Sequence, residues 1–148
     1  MVSRDPYAVC FDLARAHYEN FPVASRLLPA GMRRHVAAVY AFARAADDFA
    51  DEGERAPEAR HALLDTWESH LRAAAAGRPV QARPDEAAIF AALGQTIAAC
   101  RLPAGPFIDL LSAFHQDVDV TRYATWADLL DYCRRSANPV GRLVLRIS

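Results

Sequence analysis

Residues 32–52 read Met32-Arg33-Arg34-His35-Val36-Ala37-Ala38-Val39-Tyr40-Ala41-Phe42-Ala43-Arg44-Ala45-Ala46-Asp47-Asp48-Phe49-Ala50-Asp51-Glu52. Nothing in this run breaks a helix until Gly53, a natural helix stop. Val36, Val39, Tyr40, Phe42, Ala43 and Ala46 give it an unusually apolar body, which predicts a core helix from about Gly31 to Glu52. Its end is different: Asp47, Asp48, Asp51 and Glu52 crowd the C-terminal turns. Asp47 and Asp51 are four apart, so they share a face about 6 Å apart along the axis. Counting back along that face gives Arg44 and Tyr40. The helix dipole disfavours acids there by roughly 0.3–1 kcal/mol per group, and a bound cation would reverse that cost. Hard oxygen ligands with an arginine one turn away suit Mg²⁺ and a phosphate. The competing reading is a solvated helix end, with Asp48 and Glu52 merely facing water.

Outward from this helix the pattern stays helical. Asp5-Pro6 places an N-cap before a proline at the first helical position, opening a helix to about Tyr18 that buries Tyr7, Cys10, Phe11 and Ala14. Residues 20–28 read as a turn and a short helix ended by Pro29. Pro57 opens a helix over Glu58 to Ala76, with Leu63, Leu64, Trp67 and Leu71 at helical spacing. Residues 77–83 form a loop. Pro84-Asp85-Glu86 starts a helix to about Cys100, and another covers Phe107 to about Val118. Thr125-Trp126-Ala127-Asp128 resembles a capping box opening a last helix, kinked at Pro139. No strand-like alternation, repeat or domain linker interrupts the series. The expectation is an all-α fold, one helical domain over residues 1–148. The apolar, uncapped run Val140 to Ser148 suggests that this domain is incomplete.

The composition bounds the function. The 148 residues suffice for one domain with a core, and a net charge of −1 gives no nucleic-acid footprint. All 17 basic residues are Arg; a compositional bias accounts for this more simply than phosphate recognition does. Cys10, Cys100 and Cys133 are too widely spaced for a zinc pattern and fit reduced thiols. There is no signal-peptide core, and no apolar run approaches ~18 residues. Glu58-Ala59-Arg60-His61 has the Glu-x-x-His spacing of di-iron bundles, but only once where two are needed. Arg122 stands where an EF-hand beginning at Asp117 needs glycine. The five histidines, His17, His35, His61, His70 and His115, lack a nucleophile context and are expected mostly at the surface or at caps.

Four blocks carry a resemblance: His17-Tyr18-Glu19-Asn20-Phe21-Pro22-Val23-Ala24-Ser25-Arg26-Leu27-Leu28-Pro29; Tyr40 through Asp51; Gln116-Asp117 through Arg122-Tyr123; and Tyr132-Cys133-Arg134-Arg135-Ser136-Ala137-Asn138-Pro139-Val140-Gly141. In order and spacing they resemble the squalene and phytoene synthase family of head-to-head prenyl synthases. Asn138-Pro139 is most similar to the bacterial hydroxysqualene synthase subgroup of hopanoid biosynthesis. The resemblance implies a helical bundle around an apolar cavity and conversion of presqualene diphosphate to hydroxysqualene with loss of diphosphate. It implies Mg²⁺ as cofactor, with Asp47 and Asp51 as metal ligands. Arg44 would hold diphosphate oxygens, His17 and Tyr40 would stand near the leaving group, and Phe21, Tyr132, Ala137, Val140 and Gly141 would line the cavity.

The family's second aspartate motif lies further along than Ser148. The chain therefore matches the N-terminal half of such an enzyme, expected to be inactive, or nearly so, without its C-terminal half. Near-insoluble substrate and product imply a cytoplasmic protein docking peripherally on a membrane. Two other functions fit the same residues: head-to-head condensation of two prenyl diphosphates, and a non-catalytic helical interaction module.

Overall fold

A computed structural model describes residues 5–17, 30–51, 54–119 and 147, with the side chains of residues 13–17 and 51 outside that description. Five helices carry the fold: α1 (Pro6–His17), α2 (Ala30–Asp51), α3 (Pro57–Ala75), α4 (Pro84–Cys100) and α5 (Gly105–Asp119). Among the described residues there is no strand. The all-α expectation holds. The turn and short helix expected at 20–28, and the last helix expected from Trp126 apart from Ile147, lie outside the described residues.

Local chemistry sets the helix starts. The Asp5 carboxylate accepts a hydrogen bond from the Tyr7 amide at 3.0 Å, the N-cap that Asp5-Pro6 predicts. Pro57 and Pro84 open α3 and α4 where a missing N–H costs nothing, with Glu58, and Asp85 with Glu86, in the first turns. α5 begins at Gly105, two residues before the expected Phe107, because Pro106 is tolerated in a first turn.

α2 is the hub and packs against all four other helices. Ala37, Ala38, Ala41, Phe42 and Ala46 are buried along it, and the small residues let the neighbouring helices come close. Phe42 is the aromatic anchor. Its ring meets Phe107 at 5.5 Å and Phe90 at 6.0 Å, both edge-on, and Trp67 at 6.1 Å. Trp67 also packs edge-on against Phe49 at 5.1 Å and donates its indole N–H to the Phe42 carbonyl at 3.2 Å. The tryptophan is thus buried with its polar atom satisfied. α3 and α4 approach closely at Gly94, where a Cβ would stand 3.3 Å from the Ala74 carbonyl oxygen. This packing holds the C-terminal end of α2 on a rigid base while its last polar residues stay at the margin of the core.

Candidate functional site at the acidic end of helix α2

The last turn of α2 contains no basic residue to offset its acids. Arg44, one turn earlier, reaches toward two of them. Its Nη1 is 3.8 Å from Asp47 Oδ2 and its Nε is 3.3 Å from Asp48 Oδ1. The Arg44 and Asp47 side chains are 33% and 40% exposed, so the pair sits neither in the core nor in bulk water. Arg44 Nε and Asp48 Oδ1 are individually shut off from solvent, yet neither makes an aligned hydrogen bond. Their contact is attraction without good donor–acceptor geometry, which leaves hydrogen-bonding capacity unused at the centre of the cluster.

A groove of about 180 Å³ opens beside this cluster. Ala41, Ala45, Phe49, Trp67 and Ile89 form its apolar part, and Arg44, Asp48, Arg83, Asp85 and Glu86 its polar part. Asp48 is therefore half-buried and engaged, which goes against the competing reading in which it merely faces water. The physical reason is the arrival of the α4 N-terminus on the Asp48 side of α2, which sequence spacing alone does not reveal. Asp47 stands on the adjacent side and does not line this groove.

The other expected site residues distribute as follows. Tyr40 is half-buried and packs against the core. Asp51 closes α2, but its carboxylate is outside the described side chains, as is the imidazole of His17 at the end of α1. Phe21, Tyr132, Ala137, Val140 and Gly141 lie outside the described residues, so the apolar cavity they were expected to line is not among the described features. Among the described residues, no group of three or more His, Cys, Asp or Glu side chains converges as a metal shell.

Two polar clusters escaped the sequence reading. His35, one of five histidines expected mostly at the surface or at caps, is 7% exposed. Its Nδ1 lies 2.8 Å from Thr96 Oγ1, which lies 2.9 Å from the Tyr7 hydroxyl, so one network joins α1, α2 and α4. Burial, then the nearby Arg34 charge, lowers the His35 pKa from its ordinary value, and burial raises the Tyr7 phenol. The Arg34 guanidinium lies 5.4 Å over the Tyr7 ring. The second cluster, His61 with His115, joins α3 to α5. Cys10 is buried, and desolvation followed by the Asp5 charge pushes its thiol up to about 12. It remains a packed thiol rather than a nucleophile.

The sequence profile described as squalene/phytoene synthase matches residues 14–148. The chain belongs to the squalene/phytoene synthase family. It is 41% identical over 129 residues to the hydroxysqualene synthase of Zymomonas mobilis, covering 87% of this chain and 41% of that protein. It is 31% identical over 137 residues to the 15-cis-phytoene synthase of Synechococcus elongatus, covering 93% of this chain and 42% of that one. The solved squalene synthase HpnC of Alicyclobacillus acidocaldarius superposes with a TM-score of 0.85 at 46% identity, covering 96% of this chain and 51% of that one. The bundle is thus the N-terminal part of the helical fold of this family, and the chain spans about half the length of the relatives it matches. Among the described residues, no helix is long and apolar enough to cross a membrane.

Proposed function

We propose that this chain forms the N-terminal part of a magnesium-dependent enzyme of isoprenoid biosynthesis that converts presqualene diphosphate to hydroxysqualene. In that reaction the carbon–oxygen bond to diphosphate breaks heterolytically and diphosphate leaves with the electron pair. The cyclopropylcarbinyl cation rearranges, water adds to it, and a proton is lost. The observation that carries the reading is Arg44 beside Asp47 at the dipole-negative end of a helix whose body is buried. The residue types fit the group. Asp47 and Asp51 are hard oxygen donors one turn apart, half a shell, as expected for a cation that keeps waters and takes substrate phosphates. Mg²⁺ bound there would neutralise the departing diphosphate.

In this reading Asp47 and Asp51 hold the metal and Arg44 binds diphosphate oxygens. The loose Arg44–Asp48 contact supports that role, because a guanidinium whose Nε lacks an aligned bond exchanges that partner at small cost. Tyr40 and His17 stand toward the leaving group, and Phe21, Tyr132, Ala137, Val140 and Gly141 form a dry wall that spares the cation from early quenching. The remaining metal ligands come from a C-terminal half, and the protein works on substrate delivered from a membrane surface. A second reading, condensation of two prenyl diphosphates, is favoured by the similarity to a phytoene synthase.

Calorimetric titration of Mg²⁺ in the presence of inorganic pyrophosphate tests the site. The chain is expected to bind Mg²⁺ only when pyrophosphate is present, and Asp47→Ala or Asp51→Ala abolishes that binding. Binding that survives both substitutions removes the metal assignment. Absence of binding in the unsubstituted chain favours a helical interaction module instead. Product analysis of the chain joined to its C-terminal half, fed presqualene diphosphate or farnesyl diphosphate, separates the two reactions.

A further inference from the structure

His61 on α3 and His115 on α5 approach each other outside the acidic end's own ion pairs. Their Nδ1 atoms are 2.7 Å apart. The ring planes differ by only 9° and the centroids are 5.0 Å apart. Two rings stacked face to face cannot bring any atoms closer than roughly 3.5 Å. The rings therefore lie edge to edge in nearly one plane, joined through their Nδ1 atoms. That is the geometry of a nitrogen–nitrogen hydrogen bond, in which one ring donates and the other accepts. The outer nitrogens are also engaged. His61 Nε2 is 3.0 Å and 3.1 Å from the two oxygens of Asp119, and His115 Nε2 is 3.3 Å from Asp65 Oδ1.

Proton counting follows from this arrangement. A carboxylate only accepts, so His61 Nε2 must carry hydrogen, and facing Asp65 favours hydrogen on His115 Nε2 as well. The short inner bond needs one further proton between the two Nδ1 atoms. A second proton there would point two N–H groups at each other and place two cations in contact. We propose that His61 and His115 form a clasp that accepts a single shared proton and ties the start of α3 to the end of α5. A metal is the weaker occupant, because both carboxylates stand on the outer side of the rings and no third ligand converges on the Nδ1 pair among the described residues.

The charged groups facing the pair are Asp119 from α5 and Asp65 from α3, with exposed Glu58 one turn before His61. From α2 and α4, Arg44, Asp48, Arg83, Asp85 and Glu86 line the groove instead, and Asp47 lies against Arg44. The clasp is nonetheless linked to the acidic helix. Arg60, next to His61, donates from Nη1 to the Phe49 carbonyl at 3.1 Å. The clasp rests on the fold alone and stands whether or not the diphosphate reading does.

The test is ¹⁵N nuclear magnetic resonance of the imidazoles in the full chain. A proton shared between the rings is expected to give a downfield proton resonance that correlates with both Nδ1 nitrogens. His115→Asn should remove that resonance. Two Nδ1 nitrogens with no through-bond coupling to each other in the unsubstituted chain, or a resonance that survives His115→Asn, overturn the clasp. The unsubstituted spectrum decides the matter even if the variant does not fold.

Discussion

His35 and Asp48 stand near opposite ends of the same helix, in polar clusters of opposite kinds. At the start of α2, His35, Thr96 and Tyr7 are all buried, and the threonine hydroxyl bridges the other two at 2.8 Å and 2.9 Å. Every one of these contacts crosses between helices, so the cluster serves to fix α1, α2 and α4 relative to one another. At the end of α2, Arg44, Asp47 and Asp48 are about one-third exposed, and all three belong to one helix. Two of their buried atoms lack aligned partners. Polar groups that hold a fold together are enclosed and saturated, because an unpaired buried group is costly. Polar groups left unsaturated beside a groove have capacity to spare for something outside the chain.

Thr96→Val puts the first half of that comparison at greatest risk. Valine nearly matches threonine in shape but removes the bridging hydroxyl, leaving the Tyr7 hydroxyl and His35 Nδ1 only a 3.5 Å contact with each other. The expected loss is about 1–3 kcal/mol of stability, read from denaturant unfolding. Magnesium–pyrophosphate binding should be unchanged. A variant that keeps its stability but loses binding would mean that the sealed cluster is not merely structural.

The pH dependence sharpens the same contrast. Burial and the Arg34 charge lower the His35 pKa from its ordinary 6.5. A lowered value means that the unfolded chain takes up this proton more readily than the folded one. The stabilisation is therefore fully present above pH 6.5 and is lost as pH falls from there through the folded value. Unfolding midpoints measured across this window should decline in the unsubstituted chain, and His35→Gln should flatten the His35 share of that decline. An unchanged slope in the variant would place the acid sensitivity elsewhere.

What the sequence reveals and what it conceals divides along the range of the interactions. The helix starts at Pro6, Pro57 and Pro84 are legible because caps and prolines act within a turn. The buried body of α2 is legible because a run of small and apolar residues at helical spacing has few other solutions. The likeness of Tyr40 through Asp51 to a known family is legible for the same local reason. Which side of α2 would meet the α4 N-terminus is not local, and that contact is what draws Asp48 into the groove. The buried His35 and the paired His61 and His115 depend on partners distant in the chain, and a histidine carries no pattern that announces its partner. Periodicity sees faces; it does not see which residue on a face will meet which.

Asp51→Asn gives the smallest expected change and the most direct check on the second half of the comparison. Asp48 and Asp51 both lie in the last turn of α2, which has no base to balance them. The dipole makes each acid unfavourable there by roughly 0.3–1 kcal/mol. If Asp51 is retained for a ligand rather than for the fold, neutralising it should raise the thermal midpoint slightly in plain buffer. With Mg²⁺ and pyrophosphate present the order should invert. A ligand that binds only the folded state adds stability in proportion to its saturation, and only the unsubstituted chain would gain it. A variant that is less stable than the parent in plain buffer would reveal a structural partner for that carboxylate. The acidic end would then belong, like the His35 cluster, to the machinery of folding.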